Sequence, residues 1–274
     1  KQVDRIKFEG YIKPKIYSIK IFMYRDFTLD IYDKLLCTLI DHGYSFVTLE
    51  KFFSEENNKI VVLRHDVDKY PNKALRIAEI ENKKNISASY YFRIVKKSNN
   101  PKIIKKIIKM GHEIGYHYED LTLANGNFDQ AIITFEKNLD YFKKFYPIKT
   151  ICMHGSPLSR WDNSLIWGKI SYNDYGIIGE PYFDIDYTYI DYFTDTGRKW
   201  NSDNENIRDI VNKNKQSKYK STFDLINGIK GREISDKIII NVHPQRWCNE
   251  FSPWLIELIF QNVKNIIKKI INPK

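Results

Sequence analysis

Arg64-His65-Asp66-Val67-Asp68 closes an apolar run, and single histidines stand at His117, His154 and His243. Imidazole and carboxylate groups together suit Zn2+ or another divalent first-row ion. Three such ligands leave a position for water, whose pKa the ion lowers towards neutrality. A carboxylate can then accept the proton of that water, and a histidine can protonate the leaving group. Residues two apart on a strand share a face, so Asp66 and Asp68 can enter one site. These residue types point to metal-dependent hydrolysis. Each also has a plainer reading. A lone buried histidine is more often a hydrogen-bonded core residue than a ligand, and Asp66 and Asp68 would also serve as helix caps.

The elements that must position these groups decide between the readings. Ile60–Asp66 reads as a buried strand, and Asn72–Lys83 as the helix after it, with Ala74, Ile77, Ala78 and Ile80 on one face. Strands follow at Ile86–Ile94, His112–Tyr118 and Ile148–Met153, separated by helices over Pro101–Met110 and Asp129–Phe145. Shorter strands are expected at Tyr175–Gly179 and Tyr187–Phe193, then a helix at Asp224–Ile229, a strand at Lys237–Val242 and a helix at Pro253–Ile271. A helix over Leu29–His42 and a strand over Tyr44–Leu49 add a unit at the N-terminal side. Alternating strands and helices imply an α/β fold with parallel strands. A distorted (β/α) barrel of about seven strands is the leading architecture, and an open doubly wound sheet the alternative. No linker divides the sequence, so residues 1–274 read as one catalytic domain with its core over about 27–260.

Strand ends gather the reactive residues. Asp66 and Asp68 close one strand, His117 and Glu119 another, and His154 a third. Glu180 and Asp195 follow the two shorter strands, and His243 ends the strand at Lys237. Catalytic groups of parallel barrels sit at such ends, and four of the six histidines, His65 with these three, lie there. His112 after Gly111, and His42 before Gly43, read as structural, and His65 as packed behind the site.

Composition narrows the function classes. With 274 residues, 42% of them hydrophobic, the chain can bury a large core. There is no apolar run of membrane-spanning length. Lys1–Tyr11 lacks the apolar stretch of a signal peptide, although the sequence starts without Met, which leaves N-terminal processing open. The formal charge of +10 comes largely from lysines in amphipathic stretches such as Lys102–Lys109 and Lys264–Lys269. These read as solvated helix faces, not a nucleic-acid footprint. Cys37, Cys152 and Cys248 show no CxxC spacing, so a reducing, cytoplasmic setting is expected, with attachment to the inner membrane face as an option.

Three segments carry a resemblance to a known family: Leu63-Arg-His-Asp-Val-Asp68, Gly111-His-Glu-Ile-Gly-Tyr-His117 and Asn241-Val-His243. Over roughly Phe27–Phe260 the chain resembles the polysaccharide deacetylase superfamily, carbohydrate esterase family 4 and its relatives. The resemblance implies a distorted barrel in which metal-activated water removes an N- or O-acetyl group from a sugar. It implies Asp66 as catalytic base, His117 as the first metal histidine and His243 as general acid. Two positions depart from the family pattern. Val67 stands where the second aspartate belongs, and Leu121 where the second metal histidine belongs. Asp68 and His154 are expected to replace them, giving a metal set of Asp68, His117 and His154. The ion is expected to be Zn2+, with Co2+, Mn2+, Ni2+ and Fe2+ as alternatives.

Arg160, Arg198 and Arg246 fall in loops at the same end of the strands, with Trp161, Trp200 and Trp247 beside charged residues. Arginine binds carboxylate or phosphate bidentately, and aromatic faces suit sugar rings. Together with Glu180 and Asp195 these six make up the expected substrate-binding set, for an acylated sugar of surface polysaccharide or glycoconjugate biosynthesis, with an anionic group as an option. Hydrolysis of another C–N bond, formyl or cyclic amide, is the second reading. A carbohydrate-binding protein with a decayed site is the third. The acyl group, the sugar and the oligomeric state stay open at this point.

Overall fold

The computed structural model describes residues 25–55, 58–155, 159–200 and 219–271. Seven strands form one sheet: β1 (Ser45–Val47), β2 (Ile60–Val67), β3 (Ser89–Phe92), β4 (Glu113–Tyr118), β5 (Ile151–Met153), β6 (Asp191–Thr194) and β7 (Lys237–Val242). All the pairings are parallel, in the order β5-β4-β3-β2-β7-β6, as a distorted (β/α) barrel requires. One edge of β2 meets β7 from Ile60 to His65. Its other edge is shared, with β1 against Ile60–Val62 and β3 against Arg64–Val67.

The helices are α1 (Leu29–Asp41), α2 (Leu49–Ser54), α3 (Pro71–Asn82), α4 (Pro101–Lys109), α5 (Asp120–Leu123), α6 (Phe128–Lys143), α7 (Pro181–Asp184), α8 (Thr222–Lys230) and α9 (Phe251–Ile271). Local chemistry starts several of them. Thr28, Asn100 and Asn127 accept the orphan N–H groups of the first turns of α1, α4 and α6, and Ser221 with Asp224 closes a capping box on α8. In α4 the isoleucines Ile103, Ile104 and Ile107 are buried while Lys102, Lys105, Lys106 and Lys109 face solvent.

Strand parity sorts the core. Val61, Leu63 and Val67 of β2 pack with Ala74, Ile77 and Ala78 of α3 in the larger hydrophobic cluster. Ile60 and Val62 join Tyr91, Cys152, Tyr192 and Ile239 in a second cluster on the opposite side of the sheet. Arg64 and Asp66 continue that second face, because strand side chains alternate. The same alternation puts Glu113 and His117 of β4 together on one face.

The expected strand at Tyr175–Gly179 does not form. Tyr172–Tyr175 is a 3-10 turn ended by Gly176 at φ +74, and only an isolated bridge joins Gly179 to Thr150. Pro181, which has no N–H, then opens α7. A left-handed residue on one side and a missing donor on the other leave no room for a ladder.

Candidate metal centre and its catalytic flanks

The last residues of β2, β4 and β5 converge, since parallel strands in register deliver their C-terminal ends to one side. His117 is paired with Cys152 across β4 and β5, and His154 follows β5 with its N–H donating to the Tyr118 carbonyl. Asp68 follows β2. Its Oδ1 lies 3.6 Å from His117 Nε2 and 3.4 Å from His154 Nε2. Donor atoms of these three residues all lie within 4.8 Å of one another. Bonds of 2.0–2.1 Å in a tetrahedron place donors about 3.3 Å apart, so the spacing suits a small divalent ion.

The second nitrogen of each imidazole is already engaged. His117 Nδ1 donates to the Cys152 carbonyl at 2.9 Å, and His154 Nδ1 lies 3.0 Å from Glu119 Oε2. Both contacts fix the tautomer that presents an Nε2 lone pair to the shared point. Asp68 Oδ1 is buried without a hydrogen-bond partner, while Oδ2 accepts from Gln245 Nε2 at 2.8 Å. An orphaned carboxylate oxygen between two outward lone pairs is the signature of a cation site. The residues present therefore fit a divalent metal.

Asp66 stands apart from this set. It is buried, and Arg64 holds it by two contacts, Nε to Oδ1 at 3.2 Å and Nη2 to Oδ2 at 2.9 Å. Asn241 Nδ2 donates to the same Oδ2 at 3.1 Å. Burial pushes its pKa up, but the charges of Arg64, His117 and His243 outweigh this and hold it at about 2. The carboxylate is ionised at neutral pH, as a base must be. A second ligand grouping, Asp66 with His117 and Cys152, is less suited to an ion because Arg64 and Asn241 already occupy the Asp66 oxygens.

His243 approaches from β7. Its Nδ1 lies 2.6 Å from Asp195 Oδ1, and its backbone N–H donates to Asp195 Oδ2 at 2.9 Å. Arg246 Nη1, at 2.6 Å, and Trp247 Nε1, at 2.7 Å, complete the partners of that buried carboxylate. The His243 charge is one of the causes that lower the pKa of both Asp66 and Asp68. Glu119 is held at about 2: burial raises it, but contacts with His154 and Arg93 prevail. Burial also lowers the pKa of His154 against the pull of Glu119 and Asp68.

A cleft of about 850 Å3 opens over this centre. Asp68, Glu119 and His154 form its floor, and Arg160, Trp161 and Arg246 are among its walls. The other residues expected to bind substrate lie elsewhere. Trp200 and Trp247 are buried with Phe27, their rings 6.1 and 5.0 Å from it. Arg198 is buried between the rings of Phe27 and Trp254 and donates to the Trp254 carbonyl. Glu180 is fully buried, accepting from the Met153 and Tyr182 N–H groups, and burial raises its pKa to about 8. Asp195 and Arg246 act on His243, with Arg246 also reaching the cleft wall.

Sequence reasoning passed over several participants. Arg93 holds Glu119 through Nε at 2.7 Å and Nη2 at 2.5 Å. Gln245 and Asn241 anchor Asp68 and Asp66. Asn241 and Gln245 lie within two residues of His243, which was the available signal. Nothing in the local sequence marked Arg93.

No protein-family model matches the sequence, and no curated protein does. Among solved structures the chain is similar to a CE4 family pseudoenzyme from Bacillus anthracis, at 16% identity and a TM-score of 0.41. That match covers 78% of this chain and 63% of the other, so the chain spans less than two thirds of that protein. It is also similar to the CE4 domain of a multidomain xylanase from the hindgut metagenome of Trinervitermes trinervoides, at 17% identity, TM-score 0.39, covering 77% and 85%. A third is the catalytic domain of a peptidoglycan N-acetylglucosamine deacetylase from Eubacterium rectale, at 14% identity, TM-score 0.42, covering 77% and 87%.

Proposed function

We propose that this chain is a metal-dependent hydrolase that removes an N-acetyl or related acyl group from a sugar. The observation that carries the reading is the convergence of Asp68 Oδ1, His117 Nε2 and His154 Nε2 on one point beneath an open cleft. Asp68, His117 and His154 would hold the ion, which supplies Lewis acidity and lowers the pKa of water. Asp66 stays ionised beside the centre and accepts a proton at a carboxylate oxygen. His243 delivers a proton from Nε2 to the departing nitrogen, because Asp195 keeps Nδ1 engaged and fixes the orientation of the ring. Arg64 and Asn241 orient the base. Zn2+ suits the two-imidazole, one-carboxylate donor set best.

Two measurements test this. Purified protein should carry close to one equivalent of divalent metal, lost in His117→Ala and His154→Ala. The loaded protein should release acetate or formate from a panel of N-acylated sugars, free, nucleotide-linked and lipid-linked. Bound metal without release from any member of the panel would favour the decayed, carbohydrate-binding reading instead.

A further inference from the structure

The cleft above the metal centre carries a surplus of positive charge. Six cationic side chains line it (Lys69, Arg93, Lys97, Arg160, Arg246 and Lys264) against the carboxylates Asp68, Glu119 and Glu257. Three of the six are engaged. Arg93 is paired with Glu119, Arg246 with Asp195, and Lys69 with Glu257 at 3.8 Å. Lys97, Arg160 and Lys264 have no direct ion-pair partner among the described residues. Burial lowers the pKa of Lys264, and the charges of Lys69 and Arg246 add to this against the opposing pull of Glu257 and Asp68. Like charges held beside a cleft cost energy that a bound anion offsets.

The same cleft has a fixed aromatic wall. Gly126, at φ +85, lies directly under the Trp161 ring, so that a Cβ there would sit 2.5 Å from it. The Arg160 guanidinium lies over the Trp161 ring, 4.8 Å from its centroid. A loop residue packed from below and capped by its neighbour presents a rigid edge next to the three cations.

We infer that the cleft is a subsite for a diphosphate group, so that the acylated sugar enters as a sugar diphosphate conjugate. This rests on the hydrolase reading for the sugar, but not for the anion. About three cations without an ion pair among the described residues match the two to three negative charges of a diphosphate, and arginine with lysine is the usual phosphate-binding pair. The conjugate could be a nucleotide or a lipid, and the chemistry recognised is the same.

Isothermal titration in EDTA tests the subsite with metal contacts and turnover both removed. The probes are uridine diphosphate N-acetylglucosamine, a prenyl-diphosphate-linked N-acetylglucosamine and a neutral N-acetylglucosamine trisaccharide. Both diphosphates, or the one from the true source, should bind at least about tenfold tighter than the trisaccharide, with affinity falling as salt rises. Combined Lys97→Gln, Arg160→Gln and Lys264→Gln should cost roughly tenfold per charge removed and flatten the salt dependence. The tighter of the two diphosphates names the source. Equal affinity for the neutral trisaccharide, or unchanged affinity in the triple variant, overturns the subsite. Charge-dependent binding in EDTA, together with no acyl release from these conjugates by the metal-loaded protein, would leave the subsite standing and remove the hydrolase reading.

Discussion

Asp68 Oδ1 and His154 Nε2 lie 3.4 Å apart, one from the loop after β2 and the other from the loop after β5. They are 86 positions apart in the chain, yet each faces the other with its other polar atom already bonded. Gln245 holds Asp68 and Glu119 holds His154. A preset pair of this kind lowers the entropy cost of capturing an ion.

Metal affinity should therefore respond to Glu119 as well as to the ligands. Glu119→Gln removes the charge that fixes the His154 tautomer and is expected to weaken binding roughly 10- to 100-fold. Competition with a chromogenic chelator measures it. An unchanged affinity would show that the contact does not orient His154.

Asp195 should matter to rate more than to substrate affinity. With Asp195→Asn, His243 loses the carboxylate that holds Nδ1 and orients its ring, so kcat should fall roughly 10^2- to 10^4-fold with little change in KM. The same change strands Arg246 in a buried position, costing about 3–5 kcal/mol of stability. Steady-state kinetics and urea unfolding on the same preparation separate the two effects.

Glu180 gives a pH signature. Its folded pKa is raised by burial from 4.5 to about 8. A raised carboxyl binds its proton more tightly when folded, so its stabilising contribution is full below about 4.5 and is lost as pH rises towards 8. Glu180→Gln should remove this slope, leaving the variant less penalised than the parent at pH 8 by up to a few kcal/mol. Urea midpoints at pH 5 and pH 8 check it, and parallel pH profiles for the two proteins would contradict it.

Gly115 is required by the ring that crosses it. Register pairs it with Tyr91, and a Cβ at Gly115 would fall 2.2 Å from that ring and 3.0 Å from the Thr150 carbonyl. Tyr91 is tied at its hydroxyl to Thr150 Oγ1 at 2.6 Å, so it has little freedom to retreat. Gly115→Ala should cost about 1–3 kcal/mol, read as a lower Tm and, through the adjacent His117, weaker metal binding.

Apolar periodicity made most of the fold legible in advance. β2, β4 and β7 begin or end within a residue or two of where alternation and buried runs put them, because an apolar run between turn signals has few ways to be satisfied. The grouping of Asp68, His117 and His154 followed from the placement of polar residues at ends of parallel strands, together with the two departures at Val67 and Leu121. Substrate loops were read less well. Arg198, Trp200 and Trp247 sit beside charged residues in sequence, but which way a loop side chain turns depends on partners far along the chain. For these three the partners are Phe27 and Trp254.

By itself, then, the sequence determined the order of strands and helices and the types of group delivered to one end of the sheet. Both are properties of local pattern and alternation. Only the tertiary structure decided which carboxylate meets the histidines and which meets Arg64. Asp66 and Asp68 are two residues apart and chemically alike. Asp66 is still within the strand, beside Arg64 and Asn241, whereas Asp68 has left it and reaches His117 near the end of β4 and His154 just after β5. Their different surroundings, Arg64 and Asn241 for one and two histidines for the other, come from that one step out of the sheet.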